Sequence, residues 1–310
     1  MKSKLTFFSI YLCSIFLAIS YPAAYGQDQA PKLDVPFEPT HPKVVEAMIL
    51  LAQIQSNDIV YDLGCGDGRI LISAAKNFGI HGVGIDIDPQ RISEAIENAA
   101  MEGVSEKLKF TISDIMEYDF HDATVVTLYL LETVNARLRP HLINQLKPGT
   151  RIVSHAFSMG YWEPDSILVH PKARNRNLYL WYIPADVGGD WTWVSNVASK
   201  SLEWKIRFKQ EFQGILCESI PGATNPVCRE GVTIRGENIT FQTVSQIDNK
   251  EVTIFYNGVV KGDTITGTQR WKTSGEETVF PWTAIKNPVK TTGHGKAKHR
   301  IAMGEILILN

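Results

Sequence analysis

The sequence predicts an α/β protein, in which a doubly wound, mostly parallel seven-stranded sheet is followed by a small all-β domain. Two patterns carry this prediction. Between residues 42 and 155, short β-rich runs alternate with segments whose apolar side chains recur every three or four positions, as βαβ units require. After residue 189 the helical periodicity ends, and short runs of alternating hydrophobicity follow, separated by Gly, Asn and Asp. That spacing is typical of a small sandwich or barrel.

The first domain is predicted to contain four helices and seven strands. Residues 42–53 place their apolar side chains on one helical face, and Pro89 stands at the first position of a helix, where proline is favoured. Helices are expected at 42–53, 69–78, 89–101 and 132–146. Strands are expected at 58–63, 83–87, 108–112, 124–130, 151–155, 166–170 and 178–183, the last two as an antiparallel hairpin at the sheet edge.

We expect the first domain over residues 27–187 and the β domain over residues 191–310, because Pro184 and the pair Gly188-Gly189 have the composition of a linker. Strands of the β domain are expected at 201–208, 214–217, 231–234, 239–244, 251–260 and 263–271, with a final one at 306–309 after a loose polar segment at 286–298. The tryptophans of this domain are widely spaced, so we expect them to form its core.

The N-terminal segment predicts export. Lys2 and Lys4 precede an apolar run at residues 5–20, and the small residues Ala24 and Gly26 fit a signal-peptidase site. Residues 1–26 are therefore expected to be a signal peptide of bacterial type, which would place the chain in the periplasm or outside the cell. An uncleaved membrane anchor is the alternative, whereas no stable membrane span is expected after cleavage.

Composition narrows the classes of function. The formal net charge is −2 and no basic run occurs, which disfavours a dedicated nucleic-acid-binding protein. The 8 histidines show no metal-ligand spacing and form no cluster with cysteines, so no metal site is predicted.

The most informative segment is the run YDLGCGDGR, in which Gly64, Gly66 and Gly68 stand between a predicted strand and a predicted helix. Glycines allow turns that a Cβ would forbid and let the loop approach a ligand closely. The dinucleotide pattern G-x-G-x-x-G would need a glycine at position 69, where this chain has Arg69. Asp62, at the strand end, suits a cationic amino-acid group better than a pyrophosphate. We therefore expect a ligand with a positive charge and no phosphate.

Two further acids follow successive strands of the same predicted sheet. Asp86 ends the second strand, where its carboxylate can accept hydrogen bonds from two ribose hydroxyls, and Asp114 follows the third, where it can accept from an adenine amine. Ile87 and Ile115, which come next to these acids, belong to the same predicted cofactor site. A single Asp at such a position is often a helix cap or a turn residue, but three acids at successive strand ends favour a ligand site.

The runs DLGCGDGR, GVGIDID and SDI resemble motif I and the following acidic motifs of class I S-adenosylmethionine-dependent methyltransferases. A narrower resemblance, to the ATP synthase c-subunit lysine methyltransferases, rests on residues 35–40, 127–131, 154–155 and 162–165, with Asn135 and Leu138. It covers residues 35–186 and implies a Rossmann-like fold, S-adenosyl-L-methionine as the cofactor and N-methylation of a protein lysine. In such enzymes the segment matching residues 36–40 closes over the methionine end of the cofactor, which implies contacts from Phe37 and Thr40.

The resemblance also directs attention to candidate catalytic residues. Because the cofactor itself carries the activated methyl group, the protein has to align the acceptor and exclude water. We predict Tyr129, at the end of the fourth strand, and Glu132 as residues of the acceptor pocket. Equally open are a place for Tyr129 in the sheet core and a role for Glu132 as a helix cap. We interpret His155 as structural, and Cys65 as a variable position of the glycine loop rather than a nucleophile.

Two other functions fit the same residues. Because S-adenosylmethionine is made in the cytosol while the N-terminus predicts export, the chain is alternatively an exported binding protein that retains the nucleoside pocket without catalysis. A small-molecule methyltransferase would differ only in its acceptor pocket. The expected partner is thus an unidentified methyl acceptor, which the resemblance suggests is a protein.

Cys217 and Cys228 are predicted to form a disulfide. Strand-like runs precede Cys217 and follow Cys228, and turns at Pro221-Gly222 and Asn225-Pro226 are expected to bring the two ends of an extended hairpin loop side by side. Such a bond persists only in an oxidising compartment, so it agrees with export. The alternative is a pair of free thiols in a cytosolic protein.

Overall fold

The protein is described by a computed structural model that covers residues 34–174, 177–197, 200–220, 226–273 and 275–288. The predicted signal peptide at 1–26 and the predicted strand at 306–309 lie outside these residues. Within the described ranges, no helix has the length and apolar character needed to cross a bilayer.

The first half of the chain folds into helices around one sheet. Its helices are α1 (Pro42–Leu51), α2 (Arg69–Phe78), α3 (Pro89–Met101) and α4 (Glu132–Gln145). Its strands are β1 (Ile59–Leu63), β2 (His81–Asp86), β3 (Leu108–Ile112), β4 (Val125–Leu128), β5 (Arg151–His155), β6 (Ser166–Val169) and β7 (Asn177–Tyr182). Every predicted helix and strand of this half is present, although β4 ends two residues earlier than expected and leaves Tyr129 and Leu130 beyond it.

The sheet is mixed, with the strand order β3-β2-β1-β4-β5-β7-β6. Strands β1 to β5 run parallel, and β7 is antiparallel to both β5 and β6. The chain therefore proceeds outward from β1 in one direction through β2 and β3, and returns to the other side of β1 to form β4. The crevice outside the carboxyl ends of β1 and β4 is where open α/β sheets bind ligands.

Helices cover both faces of this sheet because each presents an apolar stripe. Val44 and Met48 of α1 pack with Leu71 of α2 in one buried cluster. Leu138 and Leu142 of α4 belong to the cluster on the opposite face. Asp88 caps α3 by accepting a hydrogen bond from the backbone of Gln90, and Pro89 is the first residue of that helix, as predicted.

The second half of the chain is a nine-stranded, barrel-like sheet in which all neighbouring strands are antiparallel. Its strands are β8 (Gly189–Val197), β9 (Lys200–Glu211), β10 (Gly214–Ser219), β11 (Val227–Cys228), β12 (Thr233–Arg235), β13 (Asn238–Ile247), β14 (Lys250–Lys261), β15 (Thr264–Lys272) and β16 (Glu277–Lys286). Sequence patterns missed three strands of this domain, β8, β11 and β16. Pro281 lies inside β16, and a proline in the middle of a run weakens the strand prediction because it lacks an N–H donor.

The tryptophans of the β domain form its core, as predicted. Trp191, Trp193, Trp204, Trp271 and Trp282 are all buried, with at most 7% of their surface exposed. The ring of Trp193 meets those of Tyr256 and Trp282 at centroid distances of 5.3 and 5.4 Å, in the edge-on arrangement that aromatic pairs favour.

Cys217 and Cys228 form the predicted disulfide, with their Cα atoms 5.7 Å apart. The ends of the intervening loop lie side by side, as expected, but the two strands that carry the cysteines do not pair with each other. Strand β10 pairs with β9 and β11 pairs with β13, so the two cysteines lie on strands at opposite ends of the sheet order. The disulfide therefore joins the two end strands of the barrel-like sheet, β10 and β11, which do not pair with each other through backbone hydrogen bonds.

The segment between the two sheets is packed rather than open. Ala185 and Val187 are buried, and the backbone N–H of Ala185 donates to the carbonyl of Gly236 at 2.8 Å. The backbone N–H of Val187 donates to Oε1 of Gln210 at 2.7 Å. Both contacts tie this segment to the β domain, although its Pro and Gly content is that of a linker.

Candidate functional site

The glycine loop between β1 and α2 has a backbone that only glycine adopts without strain. Gly64, Gly66 and Gly68 have φ values of 82°, 53° and 77°. A Cβ on Gly66 would lie 2.5 Å from the ring of Phe37, and a Cβ on Gly64 would lie 2.7 Å from a methyl of Leu130. The loop therefore needs both the left-handed backbone and the missing side chains, as the sequence predicted.

Asp62 lies at the base of this loop and is almost completely buried, with 1% of its surface exposed. Its Oδ1 accepts a hydrogen bond from the Thr127 hydroxyl at 2.7 Å, whereas its Oδ2 has no partner among the described residues. Burial raises the pKa of Asp62 to about 7, the Thr127 hydrogen bond opposes this rise, and the nearby carboxylate of Asp86 adds to it. A buried carboxylate oxygen without a partner is costly, and a cationic group would satisfy it.

Asp86 connects the end of β2 to the glycine loop. Its Oδ2 accepts from the backbone N–H of Gly66 at 2.9 Å, and its Oδ1 accepts from that of Asp88 at 3.0 Å. Each carboxylate oxygen has more than one acceptor position, so Asp86 retains capacity for further donors. Ile87 follows it at the surface, with 36% of its area exposed.

Asp114 lies one strand further along the same sheet edge, just after β3. It is exposed, and its Oδ1 accepts from the backbone N–H of Met116 at 2.8 Å, which makes it a turn residue in this structure. Ile115 beside it is half-buried. The structure thus places Asp62, Asp86 and Asp114 at the carboxyl ends of three neighbouring strands, as the sequence predicted.

The segment from Phe37 to Thr40 crosses the glycine loop. The Phe37 ring lies over Gly66, and the guanidinium of Arg91 lies 4.4 Å from the centroid of that ring. Arg69 donates from NH1 to the carbonyl of Thr40 at 2.9 Å. Thr40 itself is buried. Arg69 therefore fixes this segment to the start of α2. The sequence motifs indicated no such role, since Arg69 served there only to exclude the dinucleotide pattern.

A second group of side chains surrounds Tyr129, beyond the end of β4. The Tyr129 ring lies 4.0 Å from the ring of His155 and 6.4 Å from that of Phe157. Burial raises the pKa of Tyr129, and its hydrogen bond with Arg174 opposes this rise. Arg174 also forms an ion pair with Glu38. Tyr129 is consequently a half-buried wall residue at the carboxyl edge, and the alternative of a sheet-core position does not hold.

His155 is held by hydrogen bonds at both ring nitrogens. Its Nε2 accepts from the backbone N–H of Arg174 at 3.0 Å, so the proton of the neutral ring is on Nδ1, which lies 3.3 Å from the Thr40 hydroxyl. Burial lowers the pKa of His155 to about 4. The histidine therefore stays neutral and joins the Phe37–Thr40 segment to the loop after β6, in the structural role that we expected.

Glu132 faces a different neighbour. It is the exposed first residue of α4, and its Oε1 accepts from the Ser158 hydroxyl at 2.6 Å. The next turn of the helix carries Asn135, which is fully buried and donates to the carbonyls of Phe157 and Ser158 at 3.3 and 3.1 Å. Oδ1 of Asn135 has no partner within the described part of the chain. Glu132 thus lies at the rim of the site with Ser158.

Cys65 is a buried free thiol between the glycines, and burial raises its pKa. A protonated, enclosed thiol is a poor nucleophile. This agrees with its interpretation as a filling residue of the loop.

The fold and this site together define a class of protein. The first strand of a Rossmann-like sheet ends in a buried carboxylate and a three-glycine loop, and the acids of two neighbouring strands follow at the same edge. That arrangement agrees with the methyltransferase site that the sequence motifs predicted.

Comparison with known proteins agrees and is more specific. The ANTKMT methyltransferase domain matches residues 62–166. A protein-lysine N-methyltransferase of Saccharolobus islandicus (strain REY15A) is 45% identical over 151 residues, which are 48% of this chain and 94% of that relative. The human ATP synthase c-subunit lysine N-methyltransferase is 30% identical over 136 residues, which are 44% of this chain and 58% of the human protein.

Among solved structures, the crystal structure of an RNA methyltransferase from Salinibacter ruber in complex with S-adenosyl-L-homocysteine is 47% identical, with a TM-score of 0.47, and the match covers 48% of this chain and 96% of that one. The 45% identity to the Saccharolobus islandicus protein, over 94% of that relative, shows that the chain belongs to the same methyltransferase family. The match accounts for about half of the chain.

Proposed function

We propose that this protein is an S-adenosylmethionine-dependent methyltransferase that transfers a methyl group to the nitrogen of a protein lysine. One observation carries the cofactor assignment. Oδ2 of the buried Asp62 has no partner among the described residues, and it lies under a glycine loop whose shape excludes side chains. A ligand with an ammonium group satisfies that oxygen, whereas a pyrophosphate would repel it.

The residues at the carboxyl edge fit the parts of such a cofactor. Asp62 and the loop glycines, under Phe37 and Thr40, would hold the amino-acid end. Asp86 would accept from the ribose hydroxyls, and Ile87, Asp114 and Ile115 would line the adenine. When bound, the cofactor supplies a methyl group already activated by its sulfonium, so the protein needs no strong nucleophile of its own.

The acceptor side suits a long chain that ends in an amine. Tyr129, Phe157 and His155 form an aromatic wall beyond β4 and β5. A lysine amine must lose its proton before it attacks, which at pH 7 costs about 4–5 kcal/mol from an unperturbed pKa near 10.4. Apolar walls lower that cost because they disfavour the charged form. Glu132, at the rim beside Ser158, would attract the ammonium as it approaches.

The names of the two relatives support lysine as the acceptor, because one is a protein-lysine N-methyltransferase and the other is a lysine N-methyltransferase of the ATP synthase c-subunit. The test is to incubate the purified chain with methyl-labelled S-adenosylmethionine and a periplasmic extract, followed by acid hydrolysis of the labelled material. We expect the label in methylated lysine, and at least about tenfold less of it after Asp62→Ala at a cofactor concentration below the Kd. Label recovered only in nucleotides, or only in small molecules, would contradict the lysine proposal while leaving the cofactor assignment intact.

We also propose that the mature protein acts outside the cytosol. The Cys217–Cys228 disulfide supports this, because such bonds form and persist in oxidising compartments. The test is mass spectrometry of non-reduced peptides from the protein isolated from its native cells. A bridged peptide is expected, and two free thiols would contradict an extracytoplasmic location.

A further inference from the structure

The connection between β5 and β6, residues 156–165, reaches from the proposed acceptor site to the β domain. At its start, the ring of Phe157 lies beside that of Tyr129, with 6.4 Å between the ring centroids. The hydroxyl of Ser158 donates to Glu132 at 2.6 Å. This connection therefore carries one wall and one rim contact of the acceptor side.

The other end of the connection is held by the β9–β10 turn, which consists of Phe212 and Gln213. Trp162 is fully buried, and its ring stacks on that of Phe212 with the centroids 5.2 Å apart and the planes 17° apart. The indole N–H of Trp162 donates to Oε1 of Gln213 at 2.6 Å. The amide of the same glutamine donates to the carbonyl of Glu163. Both residues of the turn thus contact the connection.

Arg139 of α4 holds the middle of the connection from the other side. Its guanidinium lies 3.9 Å from the ring centroid of Tyr161 and 5.6 Å from that of Phe212. Its NH1 donates to the carbonyl of Met159 at 2.5 Å. The connection is therefore clamped between a helix of the methyltransferase fold and the turn of the β domain.

The backbone of the turn indicates that the Phe212 ring has a structural role. Phe212 has a φ of 52°, a left-handed conformation that disfavours any residue with a Cβ and that glycine adopts freely. The side-chain amide of Gln210 holds the turn by donating to the carbonyl of Phe212 at 2.7 Å. A glycine would satisfy this backbone, so the aromatic ring at this position is explained by its contact with Trp162 and Tyr161.

We propose that the β9–β10 turn is a positioning element of the acceptor site: Phe212 and Gln213 fix the 156–165 connection and, through it, Phe157 and Ser158. The expected effect on methyl transfer rests on the proposed function. Cofactor binding should be largely unaffected, because these two residues touch neither the glycine loop nor Asp62. It also gives the β domain a part in methyl transfer.

The test compares Phe212→Gly with Asn249→Gly in the full chain. Both replace a residue of left-handed backbone in a β-domain turn, with φ values of 52° and 61°, but Asn249 lies in the β13–β14 turn, away from the connection. Amide hydrogen exchange followed by mass spectrometry reports the order of the connection directly. Calorimetry with S-adenosylhomocysteine measures the cofactor side of the site, and label transfer to the periplasmic extract measures the acceptor side.

We expect Phe212→Gly to accelerate exchange at residues 156–159 by about tenfold or more, because the stability of this local unit is reduced. If the turn did not order the rest of the connection, exchange would accelerate only at residues 161–163, which contact the turn directly. Label transfer should fall, while the affinity for S-adenosylhomocysteine should change by less than about twofold. Asn249→Gly should match the wild type in all three measurements. Phe212→Tyr, which keeps the ring, should restore the exchange pattern.

Unchanged exchange at residues 156–159 in Phe212→Gly would overturn the proposal. If that variant does not fold, Gln213→Ala decides by the same measurement, because it removes both hydrogen bonds and keeps the ring. A wild-type chain that neither binds S-adenosylhomocysteine nor transfers label would refute the proposed function, whereas the exchange pattern would still decide whether the turn orders the connection.

Discussion

Replacing Asp62 by asparagine should remove a pH-dependent loss of stability from the cofactor-free protein. The pKa of the folded state is about 7, against an unperturbed value near 3.9. Between these values the folded protein keeps a proton that the unfolded chain has released, so its stability falls as the pH rises. The loss amounts to about 1.4 kcal/mol per pH unit, or about 4 kcal/mol in total, and is complete above about pH 7.

Asp62→Asn does not ionise and escapes this loss. Asparagine also brings a buried amide of its own, but that effect is independent of pH and cancels in a comparison of two pH values. Urea unfolding of both proteins at pH 5 and pH 8 measures the quantity of interest. The stability of Asp62→Asn relative to the wild type should rise by about 3 kcal/mol between the two pH values.

The same variant should bind the proposed cofactor poorly, because a neutral amide cannot pair with its ammonium group. Losing one hydrogen bond between charged groups costs about 1.5–3 kcal/mol, or about 10- to 150-fold in affinity. Asp114→Asn, which removes an exposed carboxylate from the same sheet edge, is the control for pH-dependent stability. If the relative stability of Asp62→Asn is the same at pH 5 and pH 8, the assignment of a protonated, buried carboxylate is refuted.

Three further outcomes are expected. Asp86→Ala should weaken binding of S-adenosylmethionine by about 2–4 kcal/mol in calorimetry, since two charge-assisted hydrogen bonds are lost; a change below about 0.5 kcal/mol would exclude ribose contact. Changing Cys217 and Cys228 together to serine should reduce the unfolding free energy of the chain by about 2–3 kcal/mol, because a short loop is no longer closed in the unfolded state; urea unfolding of both forms checks this, and equal stability would show that the bond adds nothing. Limited proteolysis should leave the 184–189 segment uncut, because Ala185 and Val187 are buried and hydrogen-bonded; rapid cleavage there would contradict this packing.

Local patterns predicted the parts of the site that depend on a few neighbouring residues. The glycine loop and the acids at the carboxyl ends of β1, β2 and β3 each lie in a short stretch of sequence where a strand is followed directly by a turn. Thr127, the hydrogen-bond partner of Asp62, is different. It lies opposite Asp62 in the pairing of β1 with β4, so it is recognisable only when that pairing is known.

Contacts between distant residues carried no local signal. Arg174 and Glu38 are 136 positions apart, yet they meet beside Tyr129. The disulfide was predicted from turn residues as the base of a hairpin, while in the structure it joins the ends of the β-domain sheet order. Likewise, the segment between the sheets was predicted to be a linker but is buried. Its composition reflects the conformations that its backbone prefers and does not show what packs against it.

The most direct test of the account is a calorimetric titration of the purified chain with S-adenosylhomocysteine. We expect one site per chain, an affinity that falls below pH 7 as Asp62 takes up a proton, and an affinity at least about tenfold weaker for Asp62→Ala. NADH titrated under the same conditions should give no binding. Binding of NADH without binding of S-adenosylhomocysteine would contradict the central claim, because it would mean that the glycine loop holds a pyrophosphate rather than a cationic amino-acid group.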